Sequence, residues 1–156
     1  MTPPDGEISI TAFALAEDNT PHLFFTRSQM VEWGQPPIME ILLWHAERQG
    51  GLWRETFLQK ELNWYPSVRA AVDSRNRVHM ILGGSYFGYN YRLRDEDGIW
   101  SNDSPVIEGW GDVDLVLSSD DEPRLIWYDG TSLVLSTRVI RWLDQSSFVP
   151  FITHFP

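Results

Sequence analysis

YPSVRAAVDSRNRVHMIL (residues 65–82) reads as two short strands joined by a polar turn. The stretch recurs in altered form before and after itself. Residues 71–82 align without a gap on residues 14–25, and a third copy runs from 116 to 127. Three copies within one chain indicate a repeat architecture, in which each copy builds one structural unit and neighbouring units share a core.

Two residue types mark the repeat. His79 aligns with His22 of the first copy, and Arg124 takes this place in the third copy. A tryptophan then follows each copy, at Trp53, Trp100 and Trp142. The distance from the histidine place to the tryptophan differs between copies, so they differ mainly in the loop after their second strand. A period of about 45 to 57 residues lies in or near the range of β-propeller blades.

The pattern along the chain predicts four short strands in each copy, because apolar and β-branched residues alternate between turn residues. The predicted strands are 7–15, 22–26, 39–46 and 53–58, then 68–72, 78–82, 89–94 and one from Trp100 onward, then 113–117, 124–128, 132–136 and 141–149. Residues 27–37 are expected to form a long loop, since they contain glycine and two prolines. No segment combines helical periodicity with helix caps.

Composition and charge exclude several classes of partner. The 156 residues fit one domain, with 42% hydrophobic residues and a net charge of −10. This charge argues against nucleic acid or an anionic membrane as partner, because both require clustered cations. The chain has no cysteine, no apolar run long enough for a membrane span and no signal-peptide pattern. The default expectation is therefore a cytoplasmic protein.

YPSVRAAVDSRNRVHMI followed by YRLRDEDGIW resembles the BNR or sialidase-like β-propeller repeat, and the likeness covers nearly the whole chain. Against the Asp-box of that family, S/T-x-D-x-G-x-x-W, Asp95 and Trp100 keep their spacing. Gly98 lies one place late, and Leu93 takes the Ser/Thr place. The resemblance implies an all-β chain of three four-stranded antiparallel blades. Their predicted limits are residues 7–62, 63–110 and 111–156.

The resemblance also raises the question of catalysis. Sialidases use an arginine cluster for the substrate carboxylate together with Tyr, Glu and Asp. Arg27, Arg69 and Arg92 are available here, but the FRIP-type motif of that family is absent. The sequence also lacks a phosphate loop, a nucleophile elbow and a Cys–His pair. We therefore predict a non-catalytic, lectin-like binding or assembly module for carbohydrate or protein. Part of a sialidase-like glycoside hydrolase and a purely structural half-propeller are the alternatives.

A ligand surface is expected where loops carry aromatic side chains outside the repeat pattern. In a four-stranded blade, the loop after the second strand and the connection to the next blade lie on one face. The predicted binding residues are Trp64, Tyr65, Trp110, Asp112, Arg27, Tyr86, Tyr128 and Asp129. Aromatic rings beside charged hydrogen-bonding groups suit a sugar ring or a peptide. Trp33 and Tyr89 are expected near the same face.

Other conspicuous residues receive structural roles. His22 and His79 are interpreted as polar residues between blades that are hydrogen-bonded to the backbone. The repeated tryptophans are interpreted as wedges between blades. The acidic turns at residues 95–98 and 118–122 lack the spacing of a calcium loop, so solvated hairpin turns are expected. No cofactor and no metal ion is predicted.

Three blades leave open sheet edges, whereas closed propellers have about four to eight blades. The stretch THFP at residues 153–156 is similar to NWYP at residues 63–66, which leads into the second blade. A fourth blade is thus expected to begin there, either because the chain is part of a longer propeller or because a second copy supplies that blade. The predicted partner is the chain itself, as a homodimer that closes a six-bladed ring.

Overall fold

The computed structural model describes residues 6–33, 36–84, 88–107, 111–128, 130–137 and 151–154. These residues form twelve β-strands and no helix, which confirms the all-β prediction. The strands are β1 (Ile8–Leu15), β2 (Pro21–Glu32), β3 (Ile38–Gln49), β4 (Leu52–Leu62), β5 (Ser67–Val72), β6 (Val78–Gly84), β7 (Gly88–Arg94), β8 (Ser104–Ile107), β9 (Val113–Leu117), β10 (Pro123–Tyr128), β11 (Leu133–Thr137) and β12 (Phe151–His154). Within these ranges, no helix is long and apolar enough to cross a membrane.

The strands make three four-stranded sheets, in the orders β1-β2-β3-β4, β5-β6-β7-β8 and β12-β11-β10-β9. Within each sheet, strands that follow one another in the chain are therefore neighbours, and the pairs with a defined register are antiparallel. The chain divides into two compact units, Met1–Val68 and Arg69–Pro156. The first unit contains the β1–β4 sheet. The second contains the other two sheets, apart from the first two residues of β5.

The turn between the first two strands has one geometry in all three sheets. In the second sheet, the Asp73 amide donates to the Arg77 carbonyl, and the Asn76 amide donates to the Asp73 carbonyl, each at 3.0 Å. The same pair of bonds closes the turns at residues 16–20 and 118–122. The third loop residues are Asn19, Asn76 and Asp121, with φ of 65°, 60° and 61°. Asn and Asp tolerate this left-handed conformation, so the aligned segments fold into the same three-residue hairpin loop.

The β2–β3 hairpin is longer than predicted. The expected loop at residues 27–37 is wrong in its first half, because β2 continues to Glu32 and pairs with β3 over that length. Arg27 lies in mid-strand, opposite Leu42, and not in a loop. The residues that break strands, Pro36 and Pro37 among them, come only after Glu32. The ladder therefore meets no obstacle earlier.

The outer strands of the second and third sheets also differ from the prediction. Trp100 forms an isolated bridge with Arg94, and the outer strand of that sheet is β8. In the third sheet, β12 pairs with β11. Thr153 and His154, expected to lead into a fourth blade, belong to β12 instead. The predicted strand at residues 141–149 lies outside the described residues.

The β1–β4 sheet has two faces of different character. One face, here called the His22 face, carries buried His22, Phe24, Thr26, Leu43 and His45. The other face, here called the Phe25 face, carries Ile10, Phe13, Leu23, Phe25, Trp44 and Phe57. Ile10, Phe13 and Phe57 are exposed there, although they are large and apolar. Trp53, opposite Arg48, is half exposed on this face, and its role as a wedge between blades stays a prediction.

The two sheets of the second unit share a core. Ile81, Tyr89, Tyr91, Leu93 and Ile107 belong to the β5–β8 sheet and form one buried cluster with Val113, Leu115 and Leu125 of the β9–β12 sheet. We call these surfaces the His79 face and the Leu125 face. The reverse side of the β9–β12 sheet, the Ile126 face, carries Val116, Ile126, Tyr128, Leu133 and Leu135. Each fully buried side chain in such a cluster contributes about 1.5–3 kcal/mol relative to an exposed one.

Candidate functional site

The predicted binding residues belong to both units of the chain. Trp64 and Tyr65 follow β4 in the first unit, where Trp64 is partly buried and Tyr65 is exposed. Asp112 and Tyr128 belong to the second unit, and both are exposed. Three further predicted residues, Trp110, Tyr86 and Asp129, lie outside the described residues. Trp33 is exposed in the first unit, after β2.

A small polar surface forms around Gly111 in the second unit. A side chain on Gly111 would collide with the Tyr128 carbonyl oxygen, since a Cβ there would lie 2.2 Å from it. Asp112 therefore lies directly beside the end of β10. Tyr89 anchors the segment, because its hydroxyl donates to the Gly111 carbonyl at 2.9 Å. Tyr89 was expected near the binding face. Its side chain, on β7, is buried, and only its hydroxyl bond to Gly111 connects it with this surface.

Charges surround this Gly111 surface. Arg69 lies near Asp114, with Nε 4.0 Å from the carboxylate Oδ1, and both side chains are substantially exposed. Burial of Tyr89, assisted by the negative charge of Asp112, raises the pKa of the Tyr89 phenol. The exposed Tyr128 ring is held by its hydroxyl, which donates to the Gly130 carbonyl at 2.9 Å. The surface thus combines one accessible ring with two carboxylates and one guanidinium.

Arg27 has a different environment from the one predicted. Its guanidinium donates to both carboxylate oxygens of Glu55, at 2.9 and 3.0 Å. The same group lies over the rings of Phe25 and Trp44, 5.1 and 5.0 Å from their centroids. Such cation–π contacts contribute about 0.5–1 kcal/mol at exposed sites. Arg27 therefore covers part of the Phe25 face and is already satisfied by charge and ring contacts.

A buried polar chain lies beneath the first turn of the β5–β8 sheet. Asp73 Oδ2 lies 3.2 Å from His79 Nε2, and His79 Nδ1 lies 2.6 Å from the Tyr91 hydroxyl. If Nε2 carries the proton, His79 donates to Asp73 and accepts from Tyr91, so neutral imidazole satisfies both partners. Asp73 also accepts from the Arg77 side chain at 2.6 Å. Asp73, His79 and Tyr91 are almost fully buried. This series of hydrogen bonds therefore has a structural role in the β5–β8 sheet.

Burial and hydrogen bonding set the protonation states of this buried chain. Burial lowers the pKa of His79, and this effect outweighs the opposing influence of Asp73. Burial raises the pKa of Asp73, but hydrogen bonds from Arg77, His79 and the Arg75 amide lower it overall. Near neutral pH, the histidine is therefore uncharged and the carboxylate is ionised.

The aligned histidine of the first unit has other partners. His22 Nδ1 lies 3.0 Å from His45 Nε2, and the two rings stack with an interplanar angle of 6°. Both side chains are buried, as is Glu47 on the neighbouring strand. A bond between two ring nitrogens needs one N–H and one lone pair, so the pair cannot be protonated on both facing nitrogens.

A polar contact joins the turns of the two sheets in the second unit. Asp121 accepts from the Ser74 amide at 3.1 Å and also from the Ser74 hydroxyl. These bonds lower the pKa of Asp121, the hydroxyl bond most strongly. Ser74 is the first loop residue of its turn, and Asp121 is the third loop residue of the turn in the next sheet. The contact thus links equivalent turns of consecutive repeats.

Sequence reasoning did not identify Asp73, His45 or Ser74. Asp73 could have been found, because it stands six residues before His79 at the first place of the polar turn. His45 offered no such signal, since its contact with His22 depends on the register of β2 and β3. The same holds for the contact from Ser74, which crosses between two sheets.

No group of three or more His, Asp or Glu side chains in the described part of the chain could hold a metal ion. A comparison with protein-family models finds no match to this chain, and a comparison with curated proteins finds no significant one. Function is therefore inferred from side-chain chemistry and from the repeat.

Proposed function

We propose that the chain is a non-catalytic binding or assembly module built from propeller-type blades. Two observations support this: each four-stranded antiparallel sheet begins with the same three-residue hairpin loop, and the second and third sheets pack face to face. Consecutive four-stranded sheets that pack through apolar faces are the basis of propeller architecture. The predicted six-bladed homodimer belongs to the same proposal.

The ligand proposed for this module is a neutral carbohydrate, bound at the Gly111 surface. The observation that carries this choice is the exposed Tyr128 ring beside the carboxylates of Asp112 and Asp114. A sugar ring packs its apolar C–H face on an aromatic side chain, and its hydroxyls donate to carboxylates. Net negative charge at this surface disfavours an acidic sugar.

The arrangement of the arginines also supports a non-catalytic role. Arg27 pairs with Glu55, Arg69 lies near Asp114, and Arg92 pairs with Asp103. A sialidase-like pocket needs several arginines directed at one substrate carboxylate. Each of these three has a carboxylate of its own within the protein. Hydrolysis of fluorogenic glycosides that disappears on substitution of a single Glu or Arg would contradict the proposal and favour the glycosidase alternative.

A glycan array followed by calorimetry tests the ligand. We expect Tyr128→Ala to weaken binding of the selected glycan about tenfold, equivalent to ~1.4 kcal/mol, through loss of the ring contact. The melting temperature should change little, because the ring is exposed. Trp53→Ala is the matched control, since Trp53 has the same exposure on β4. Equal losses for both variants, or loss of folding with Tyr128→Ala, would contradict the proposed site.

A further inference from the structure

The packing inside the second unit defines how one repeat covers the next. The His79 face of the β5–β8 sheet packs on the Leu125 face of the β9–β12 sheet. Val113 and Leu115, opposite Trp127 and Leu125 in the register, are only 3% and 6% exposed. Leu125 aligns with Met80, and Met80 lies on the side of the β5–β8 sheet opposite to His79. The two packed faces therefore correspond to opposite sides of the repeat. At this junction, the earlier sheet packs through the side that carries its histidine, and the later sheet packs through the side that carries Leu125.

The first sheet has an apolar Leu125-type face that remains exposed. In the repeat alignment, Leu23 corresponds to Leu125 and Phe25 to Trp127. In the register of β1 and β2, Phe13 lies opposite Leu23 and Ile10 lies opposite Phe25. Ile10 and Phe13 thus occupy the places of Val113 and Leu115, and they are larger or equally apolar. They are nevertheless 67% and 59% exposed. The Phe25 face therefore has the apolar composition of a face that packs on another sheet, but Ile10 and Phe13 are exposed on it.

The third sheet shows the reverse situation. Its Ile126 face corresponds to the His79 face of the second sheet, since Ile126 aligns with Ile81 and Leu133 with Tyr89. Tyr89 is buried at 5%, whereas Leu133 is 55% exposed. Tyr128 and Val116 of the Ile126 face are exposed as well. This face therefore has the composition to cover another sheet.

We propose that the Ile126 face of one copy covers the Phe25 face of a second copy. This inference rests on the proposed propeller-type function and specifies its partner and both contact surfaces. The contact repeats the junction that already joins the second and third sheets. It is head to tail, so two copies related by a two-fold axis form two identical junctions. Six blades result, a number at which propellers close.

Charge does not oppose this contact. The chain carries a net charge of −10, but four charged residues on the Phe25 face form two ion pairs. Arg27 pairs with Glu55, and Lys60 pairs with Glu40. On the Ile126 face, Asp114 and Arg124 lie opposite Ile126 and Val116 in the register and carry opposite charges. Net repulsion between the two faces is therefore small.

A polar contact is available at the edge of the proposed junction. Within the second unit, Ser74 donates to Asp121 of the following turn. By the same alignment, Ser119 takes the place of Ser74, and Asn19 takes the place of Asp121. Both are exposed, and the Asn19 side chain offers an amide oxygen that accepts a hydrogen bond. We expect Ser119 of one copy to contact Asn19 of the other.

Sedimentation equilibrium of the 156-residue chain tests the junction. The unchanged chain should be a dimer, and Phe13→Arg and Leu133→Arg should each weaken dimerisation about 30-fold or more, the loss typical of an interface hot spot. A mixture of the two variants should form dimers again in part, because one junction in a mixed dimer is intact. Ile99→Arg, exposed on the β7–β8 turn, is the control and should remain dimeric.

Cross-linking gives an independent measurement, because the chain has no cysteine. A short bis-maleimide should join Ser119→Cys chains to Asn19→Cys chains in a mixture, and neither variant to itself. A folded 18.1 kDa monomer at tens of micromolar, judged by circular dichroism, would overturn the inference. So would dimers sensitive to only one of the two arginine substitutions. Tyr128 and Asp114 lie on the Ile126 face, so the junction and the glycan share that face. A folded monomer that binds the glycan would overturn the interface alone, and a dimer that binds no glycan would contradict the glycan site alone.

Discussion

The two aligned histidines show how one repeat position acquires different chemistry. His79 lies between an ionised carboxylate and a phenol, whereas His22 stacks on a second imidazole. The backbone around them is the same, since both follow a three-residue loop closed by the same two hydrogen bonds. The difference begins at the first turn position, which is Asp73 in one sheet and Ala16 in the other. The repeat thus fixes where a side chain lies, and a neighbouring substitution determines its partner.

The largest effect is expected from Asp73→Ala. Asp73 accepts from the amides of Arg75 and Arg77, from the Arg77 side chain and from His79. Its loss leaves the buried His79 and three partly buried donors without their acceptor. We therefore expect the free energy of unfolding to fall by about 3–5 kcal/mol. Urea titration measures this.

Asp103→Ala is the control for that measurement. Asp103 pairs with Arg92 at the surface, where a lost ion pair costs about 1 kcal/mol or less. If the two variants lose similar stability, the carboxylate of Asp73 does not organise the second unit, and the contrast with the first unit loses its basis.

The same comparison explains what sequence could predict. The all-β class and the three equivalent turns follow from alternation and turn residues, which act locally. The aligned residues Asn19, Asn76 and Asp121 share one backbone conformation, which Asn and Asp tolerate. The long β2–β3 hairpin was missed, because its length depends on cross-strand pairing rather than on residues 27–32 themselves.

Site prediction was limited by the same cause. Asp112 and Tyr128 could be selected as exposed loop or strand-end residues. Arg27 could not be placed correctly, since its neighbours Glu55 and Trp44 come from strands β4 and β3. Contacts across strands and between sheets depend on register, and a single sequence specifies register only weakly when both faces carry apolar residues.

An intermediate effect is expected from pH. The pKa of His79 is lowered from its ordinary value of 6.5. As pH falls through 6.5, His79 therefore binds a proton in the unfolded chain before it does so in the folded chain. Stability linked to His79 is therefore complete above pH 6.5 and decreases as pH falls below it. Asp73, whose pKa is also lowered, adds a loss below about pH 3.8.

Thermal melting between pH 8 and pH 5 tests this dependence. His79→Phe should lower stability at pH 8 and flatten the pH dependence, since one buried group no longer titrates. His22→Phe is the comparison variant, because it removes the aligned histidine of the first unit. A pH profile that is unchanged in shape by His79→Phe would show that other groups control acid sensitivity.

The smallest effect is expected when the first turn is given the carboxylate of the second. Ala16 is buried, and its place is that of Asp73. Thr20 stands where Arg77 lies, so Ala16→Asp alone would bury a carboxylate without the guanidinium that compensates Asp73. The Thr20 amide already donates to Asp18 at 2.8 Å, which reduces what the new carboxylate can gain.

We therefore expect Ala16→Asp to destabilise the protein by about 1–2 kcal/mol, the cost of a buried polar group that is poorly satisfied. Adding Thr20→Arg should recover about 1 kcal/mol, because the arginine can pair with the aspartate as Arg77 does with Asp73. A double-mutant cycle in urea, with Thr20→Arg alone as the fourth corner, gives this coupling directly. Coupling near zero would mean that the two turns, despite their equal backbones, do not provide equal surroundings for the same pair of side chains. In that case the partner of each histidine is determined by the sheet as a whole and not by the single difference between Ala16 and Asp73.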